Sequence, residues 1–274
     1  MNKKQNGRKI ANTLIFLGGL AAVFAGVSCR KQAPAASTLG DSSNSKTASQ
    51  YIAEADQLYS QREDLTKVRQ AITLLRQSRL NDYGNYEAAW KLSKFDYYLG
   101  SHTNDERERE AAFREGIDMG KIAVQLQPNR PEGHFWLGAN YGGSAQHSTL
   151  AGLANVEDIR GEMEAVIKID EGYQGGSAYL VLGQLYLEAP RMLGGDYQKA
   201  IEYLEKGLKF GPNNGLLRLT LAEAYHAVNR NADARKQIDF ILQMTPDPNY
   251  LPEYKEAVEG AKKLEEKIQP EGKA

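Results

Sequence analysis

From Gln50 onward the apolar residues recur every three or four positions, and no stretch sustains the strict alternation of a half-buried strand. Leu65, Val68, Ile72 and Leu75 make one stripe, and Val156, Ile159, Met163 and Val166 a second. Tyr254, Val258, Ala261, Leu264 and Ile268 make a third. Each stripe is one face of an amphipathic helix that must pack on a neighbour, so the pattern predicts an all-α protein. Thr103 followed by Glu106 reads as a capping box, which makes the charged run at 105–110 the solvated first turn of the next helix. The segment 255–267, charged on one side, predicts a helix that caps the end of the fold.

The stripes repeat at a fixed interval. Ala200, Leu204 and Pro212 return as Ala234, Ile238 and Pro246, each 34 residues later, which is the tetratricopeptide period. The first-helix pattern of that repeat is an apolar residue, a small one, two others and a tyrosine. It appears as Leu137, Gly138, Tyr141, as Leu182, Gly183, Tyr186, and as Leu221, Ala222, Tyr225. An earlier copy carries Trp90 and Tyr97. The expected fold is a tetratricopeptide-type solenoid of helical hairpins over residues 50–270. The intervals between the tyrosines exceed 34, which predicts insertions between the helices of a pair. In the stretch 188–200, Pro190 ends a helix, Gly194 and Gly195 turn the chain, and Asp196 caps the next helix. Residues 141–159 are expected to hold a similar insertion. Insertions at one place in every repeat emerge on one face of the array, where ligands and partners bind.

The chain before this region is different. Lys3, Lys4, Arg8 and Lys9 precede an uncharged apolar run from Ile10 to Ser28, the layout of an export signal. The single cysteine, Cys29, ends that run and resembles the lipobox of bacterial lipoproteins, in which the thiol is acylated and becomes the new N-terminus. Gly26 stands where a large aliphatic residue is usual, and the run is long enough to span a bilayer, so an uncleaved anchor is the alternative. Residues 1–29 are therefore read as leader and lipidation site. Residues 30–49 have one large apolar side chain, Leu39, and form a tether. Arg30 follows the cysteine and leaves inner and outer membrane equally open as destinations on the periplasmic side.

Charge and composition narrow the chemistry. With 34 basic and 35 acidic residues the net charge is −1, and cleavage before Cys29 removes four positive charges and takes it to −5. A nucleic-acid partner is not expected. Hydrophobic residues make up 41%, enough for a packed core without disulfides. No G-x-S-x-G, H-E-x-x-H, Walker, dinucleotide or calcium-loop motif occurs, so neither an enzyme nor a cofactor is expected. His134 and His147 are thirteen apart, the wrong spacing for two metal ligands on one helix face, and no metal site is expected. If the motif tyrosines point into the helix contacts, the concave surface carries Lys91, Tyr98, Glu132, Phe135, Gln184, Glu188, Glu223 and His226. That aromatic, acidic and amide lining suits an extended peptide or a small molecule.

The segments RPEGHFWLGANYG (130–142), 175–208 and 221–239 together resemble the TatT family, tetratricopeptide lipoproteins associated with TRAP transporters. The narrower likeness rests on the H-F-W-L-G segment and the P-x-x-x-G-G-D insertion. The resemblance implies a periplasmic lipoprotein that forms homo-oligomers, handles a small organic ligand, and works beside the solute-binding protein and permease subunits of a TRAP-type system. The alternative is a tetratricopeptide scaffold of envelope biogenesis that binds polypeptides.

Overall fold

Eleven α-helices follow one another in the computed structural model, which describes residues 46–147 and 156–268. The leader, Cys29 and residues 30–45 of the tether lie outside the described residues. The helices are α1 (Ala48–Tyr59), α2 (Leu65–Asn81), α3 (Tyr86–His102), α4 (Glu106–Leu126), α5 (Pro131–His147), α6 (Val156–Ile169), α7 (Ser177–Glu188), α8 (Tyr197–Gly207), α9 (Gly215–Ala227), α10 (Asn231–Gln243) and α11 (Leu251–Ile268). No strand occurs among the described residues, and no helix there is long and apolar enough to cross a membrane. The fold is an all-α helical-hairpin solenoid, with α1/α2, α3/α4, α5/α6, α7/α8 and α9/α10 as its pairs.

Local sequence fixes the helix starts. Thr47 and Gln50 form a reciprocal capping box, so α1 begins at Ala48, slightly ahead of the predicted start. Asp196 caps α8 as expected, its side chain accepting from the amides of Gln198 and Lys199. The cap of α4 is Asp105, which accepts from the amides of Arg107 and Glu108; this corrects the assignment to Thr103. Thr103 is buried and spends its hydroxyl on Glu108. The run at 105–110 is the first turn of α4, but it is more than a solvated face. Arg69 Nε donates to Glu108 at 2.6 Å, which pulls the Glu108 carboxyl down to about 2, and Arg109 donates to the carbonyls of Gly100 and Thr103.

The motif positions pack as the repeat requires. A Cβ on Gly138 would stand 2.4 Å from Met163 Cε, and one on Gly183 2.4 Å from Leu204 Cγ, so both helix pairs touch where a side chain would not fit. Ala200, Leu204, Ala234 and Ile238, spaced by the period, are all at most 1% exposed. All four members of the α6 stripe are buried, as are Val68, Ile72 and Leu75 of α2. The insertion between α7 and α8 holds a short 3-10 turn, Arg191–Leu193, and Gly194 at φ 91°. The long interval from Tyr97 to Tyr141 has another origin. α3 and α4 are simply long, at 17 and 21 residues against 13 each for α9 and α10.

Between α3, α4 and α5 the core is partly polar. Ser93 Oγ donates to the Gly116 carbonyl at 2.7 Å, and Asn140 Nδ2 donates to the Ser93 carbonyl at 2.9 Å. Asp96 is 1% exposed and neither of its oxygens has a partner among the described residues. Burial raises its pKa well above the usual carboxyl value, and the nearby Glu115 adds to the effect. As pH rises past the ordinary carboxyl value, the unfolded chain therefore releases this proton before the native state does. The resulting contribution to stability is complete below the ordinary carboxyl pKa, about 4, and is lost as pH rises toward and through the raised folded value. Asp96→Asn should remove that decline and raise Tm at neutral pH, by about 2–4 °C for each kcal/mol recovered. Thermal unfolding across pH tests this; a lower Tm for the variant throughout would mean that the carboxylate is stabilised where it lies.

Candidate functional site

Odd-numbered helices pack side by side at α1/α3, α3/α5, α7/α9 and α9/α11, and of the inner surface they share α3 supplies most of the chemistry. Lys91, Lys94, Tyr98 and His102 share one face of α3 by their three- and four-residue spacing. Tyr59, at the end of α1, stacks flat on Phe95 at 3.9 Å and meets Tyr98 edge-on at 5.7 Å. Tyr98 in turn stacks on the His102 ring at 3.9 Å. Two cations face these rings. The Arg62 guanidinium lies 5.6 Å from the Tyr59 centroid and 5.8 Å from that of Tyr98, and Lys94 Nζ lies 5.1 Å from Tyr59 and 5.5 Å from Trp136.

The last helix returns to this cluster. Arg62 Nη2 donates to both carboxylate oxygens of Glu253 on α11, at 2.9 and 3.0 Å, and Lys255 Nζ donates to Glu63 at 2.6 Å. The two ends of the array, some 190 residues apart in sequence, are therefore in direct contact. α11 does pack its apolar stripe on α9 and α10, as a cap should, with Ala257, Ala261, Leu264 and Ile268 buried. It is also the piece that closes the inner surface, a role the sequence pattern did not reveal.

Beyond the closing contact the lining carries Glu188, Glu223 and Glu256, with Lys267 close enough to Glu223 to act on it. Glu188 accepts from Gln146 Nε2 at 3.4 Å, and Glu223 and Glu256 project from α9 and α11. Both reach solvent, yet enough protein surrounds them that burial raises their pKa values. Glu188 adds repulsion at Glu223, as Glu253 and Glu259 do at Glu256. Glu223 and His226 line a pocket of about 350 Å³ with Gly260, Lys263, Leu264 and Lys267, between α9 and α11. His226 is further tied down by Asn231, 2.8 Å from its Nδ1.

The other residues expected on the concave surface are distributed as follows. Tyr98 is 7% exposed and belongs to the aromatic cluster. Lys91, two turns earlier on α3, is held by Asp56 and Glu87, each at 2.6 Å. Gln184 is half-buried on α7, one turn before Glu188. Glu132 lies in a separate cleft of about 500 Å³ with Tyr86, Trp90 and Arg130, where it accepts from Arg130 Nη2 at 2.6 Å and from the Tyr86 hydroxyl at 3.0 Å. Phe135 requires correction. It is only 6% exposed because Tyr173, from the turn after α6, and Trp136 pack edge-on against its ring at 5.4 and 4.9 Å. It is a core residue. Lys94, Arg62 and Glu253 were absent from the expected set. Lys94 shares the face of Lys91 and Tyr98 and could have been included on that register alone. Arg62 and Glu253 lie in a loop and at a helix start, where no periodic signal exists. No group of side chains suited to a metal ion occurs among the described residues.

Comparison with known proteins agrees with this architecture. Residues 51–192, just over half the chain, match the family described as regulator of microtubule dynamics protein 1-3, and residues 191–257 match a tetratricopeptide repeat family. No curated protein matches the chain. Among solved structures it is similar to TTC0263, a tetratricopeptide protein of Thermus thermophilus. That match has a TM-score of 0.58 and 20% identity, covering 77% of this chain and 99% of that one. It is also similar to PilF of Pseudomonas aeruginosa, with a TM-score of 0.53 and 16% identity over 82% of this chain and 93% of that one. At such identities the likeness is one of fold. A tetratricopeptide array supports a role in protein interaction.

Two outcomes follow from this placement of residues. Phe135→Ala should cost about 3–5 kcal/mol of stability, as a ring lost from a core does, whereas Glu188→Ala should stay within about 0.5 kcal/mol. Denaturant unfolding distinguishes the two, and equal small effects would put Phe135 back on the surface. Replacing Arg62 and Lys255 together by Ala should separate the ends of the array, at a cost of about 1–2 kcal/mol. The readout is a larger radius of gyration in small-angle scattering, partly reproduced in the unaltered protein by high salt. An unchanged radius would show that packing of α11 on α9 and α10 closes the array unaided.

Proposed function

The chain belongs to the family described as regulator of microtubule dynamics protein 1-3, and from that premise we propose that it is a non-catalytic binding subunit of an envelope assembly, anchored to a membrane on the periplasmic side through Cys29. The microtubule role in the family's description belongs to the proteins it was written for. What carries over is the repeat domain, and the export-type leader sets where this copy of it works. Within that reading, the assembly is a TRAP-type uptake system, whose solute-binding protein and permease subunits are the partners that the resemblance to TatT lipoproteins supplies.

The observation that carries this reading over its rival is the return of α11 to the first hairpin. A scaffold that grips extended polypeptide needs a groove open along its length, whereas a subunit that handles a small solute needs walls. The contacts of Arg62 Nη2 with both Glu253 oxygens and of Lys255 with Glu63 tie the last helix to the first loop, which favours a walled inner surface over a groove open along its length. The inner surface is thereby better matched to a compact ligand, with partner proteins docking on the outside of the array.

The test is affinity capture of the full-length protein from cross-linked, gently solubilised membranes, followed by mass spectrometry. Recovery of a solute-binding protein with permease subunits is the expected result. Recovery of cell-wall or outer-membrane assembly factors without a permease would replace it with the envelope-biogenesis reading. In the same membranes Cys29→Ser should release the protein to the soluble fraction; retention would mean that the run from Ile10 to Ser28 is itself the anchor.

A further inference from the structure

Of the two cations facing Tyr59, one is neutralised and the other is not. Arg62 has the Glu253 carboxylate on its guanidinium. Lys94 faces the rings of Tyr59 and Trp136; the Asp56 and Glu253 carboxylates attract it from further off, but no oxygen of the described residues accepts a hydrogen bond from its Nζ. Burial lowers the Lys94 pKa, and the charge of Arg62 lowers it further, so this ammonium is held at a cost. A half-buried lysine normally recovers that cost through an acceptor, as Lys91 does one turn earlier on the same helix with two carboxylates. The missing partner of Lys94 is an anion, and the ammonium faces the inner surface, where one could come from outside the chain.

The rest of the surface restricts what that anion belongs to. Tyr97, one turn beyond Lys94, lies within the electrostatic reach of both Glu188 and Glu256, and Glu223 lies within reach of Glu188. A second anionic group on the ligand would meet these carboxylates and be repelled. A cationic nitrogen there would be attracted, and it would offset the burial that raises the pKa values of Glu223 and Glu256. We propose that the inner surface binds a small zwitterion, its carboxylate on Lys94 between the rings of Tyr59 and Trp136, and its cationic nitrogen toward Glu188, Glu223 and Glu256. The aromatic walls suit a quaternary or alkylated nitrogen as well as a primary one. This inference rests on the proposed solute-handling role and gives the solute its chemical class.

The experiment is calorimetric titration of the detergent-solubilised full-length protein with four probes: glycine betaine, L-arginine, succinate and n-butylammonium. The first two carry both charges; the others carry only anions or only a cation. At least one zwitterion should bind at millimolar concentration or below, more tightly than either single-charge probe. Lys94→Met keeps the aliphatic stem against the rings and removes the uncompensated charge, so the variant should fold with an undiminished Tm and bind the zwitterion at least about tenfold more weakly. Glu188→Gln with Glu223→Gln should weaken the zwitterion and leave succinate no weaker than before. Succinate binding as well as the zwitterions would overturn the charge assignment. Unchanged affinity in Lys94→Met, or no zwitterion binding at all, would overturn the site. The transporter reading is judged separately, by whether the Lys94→Met protein still captures the permease and solute-binding subunits.

Discussion

The close approach of the two helices in each hairpin is the constraint on which the rest of the array depends. At Gly138 and Gly183 a single methyl group would collide with Met163 and with Leu204, so the hairpins pair only because the chain has nothing there. Close pairing gives each hairpin a thin, rigid cross-section, and stacking then buries a continuous core. The inner and outer sides of the stack are held differently. Inner helices such as α3 and α5 touch directly through buried residues, including the bond from Asn140 to Ser93. On the outer side α2 and α4 are bridged by Arg69 with Glu108 and Arg76 with Glu115, pairs of long side chains that span a wider gap. A stack held short inside and long outside must curve, and five hairpins curve far enough for α11 to meet the first loop.

How far this could be read from the sequence depends on the range of the cause. Helix periodicity, the repeat interval and the Asp196 cap are local, and each was legible. The cap at Asp105 was misassigned to Thr103 because both residues have capping side chains, and only burial shows that Thr103 is engaged elsewhere. The length of the Tyr97 to Tyr141 interval was ambiguous because a longer helix and an inserted loop add residues alike. The register placed Phe135 on the inner side, but Tyr173, supplied by a turn nearly forty residues later, covers it. The contact of Arg62 with Glu253 had no signature at all, since it is the accumulated result of every hairpin between them.

The inner surface owes its character to that closure. Without α11, Arg62 would lack its carboxylate and the acids on α7 and α9 would face open water, where their charges are well screened. With α11 in place, Glu256 and Glu188 both act on Tyr97, Glu188 acts on Glu223, and burial raises the pKa values of Glu223 and Glu256. The same confinement leaves Lys94 half-buried beside a neutralised Arg62. A lining with a cation that lacks a hydrogen-bonding acceptor on α3 and carboxylates on α7, α9 and α11 is the charge distribution from which the zwitterion proposal follows.

Closure and occupancy are then coupled through Tyr59. Lys94 and Arg62 face the same ring, and the charge of each acts against the other. Glu253 attracts both of them, holding Arg62 directly and acting on Lys94 from further off. In the proposed binding mode, a carboxylate at Lys94 would screen its repulsion of Arg62 and so favour the contact that closes the array. By reciprocity the closed array binds the ligand more tightly than an opened one. The coupling needs no movement of the hairpins, whose geometry is set by the buried contacts at Gly138 and Gly183. It acts on the ion pairs at the ends, of which Lys255 with Glu63 is exposed and the one most easily shifted by salt.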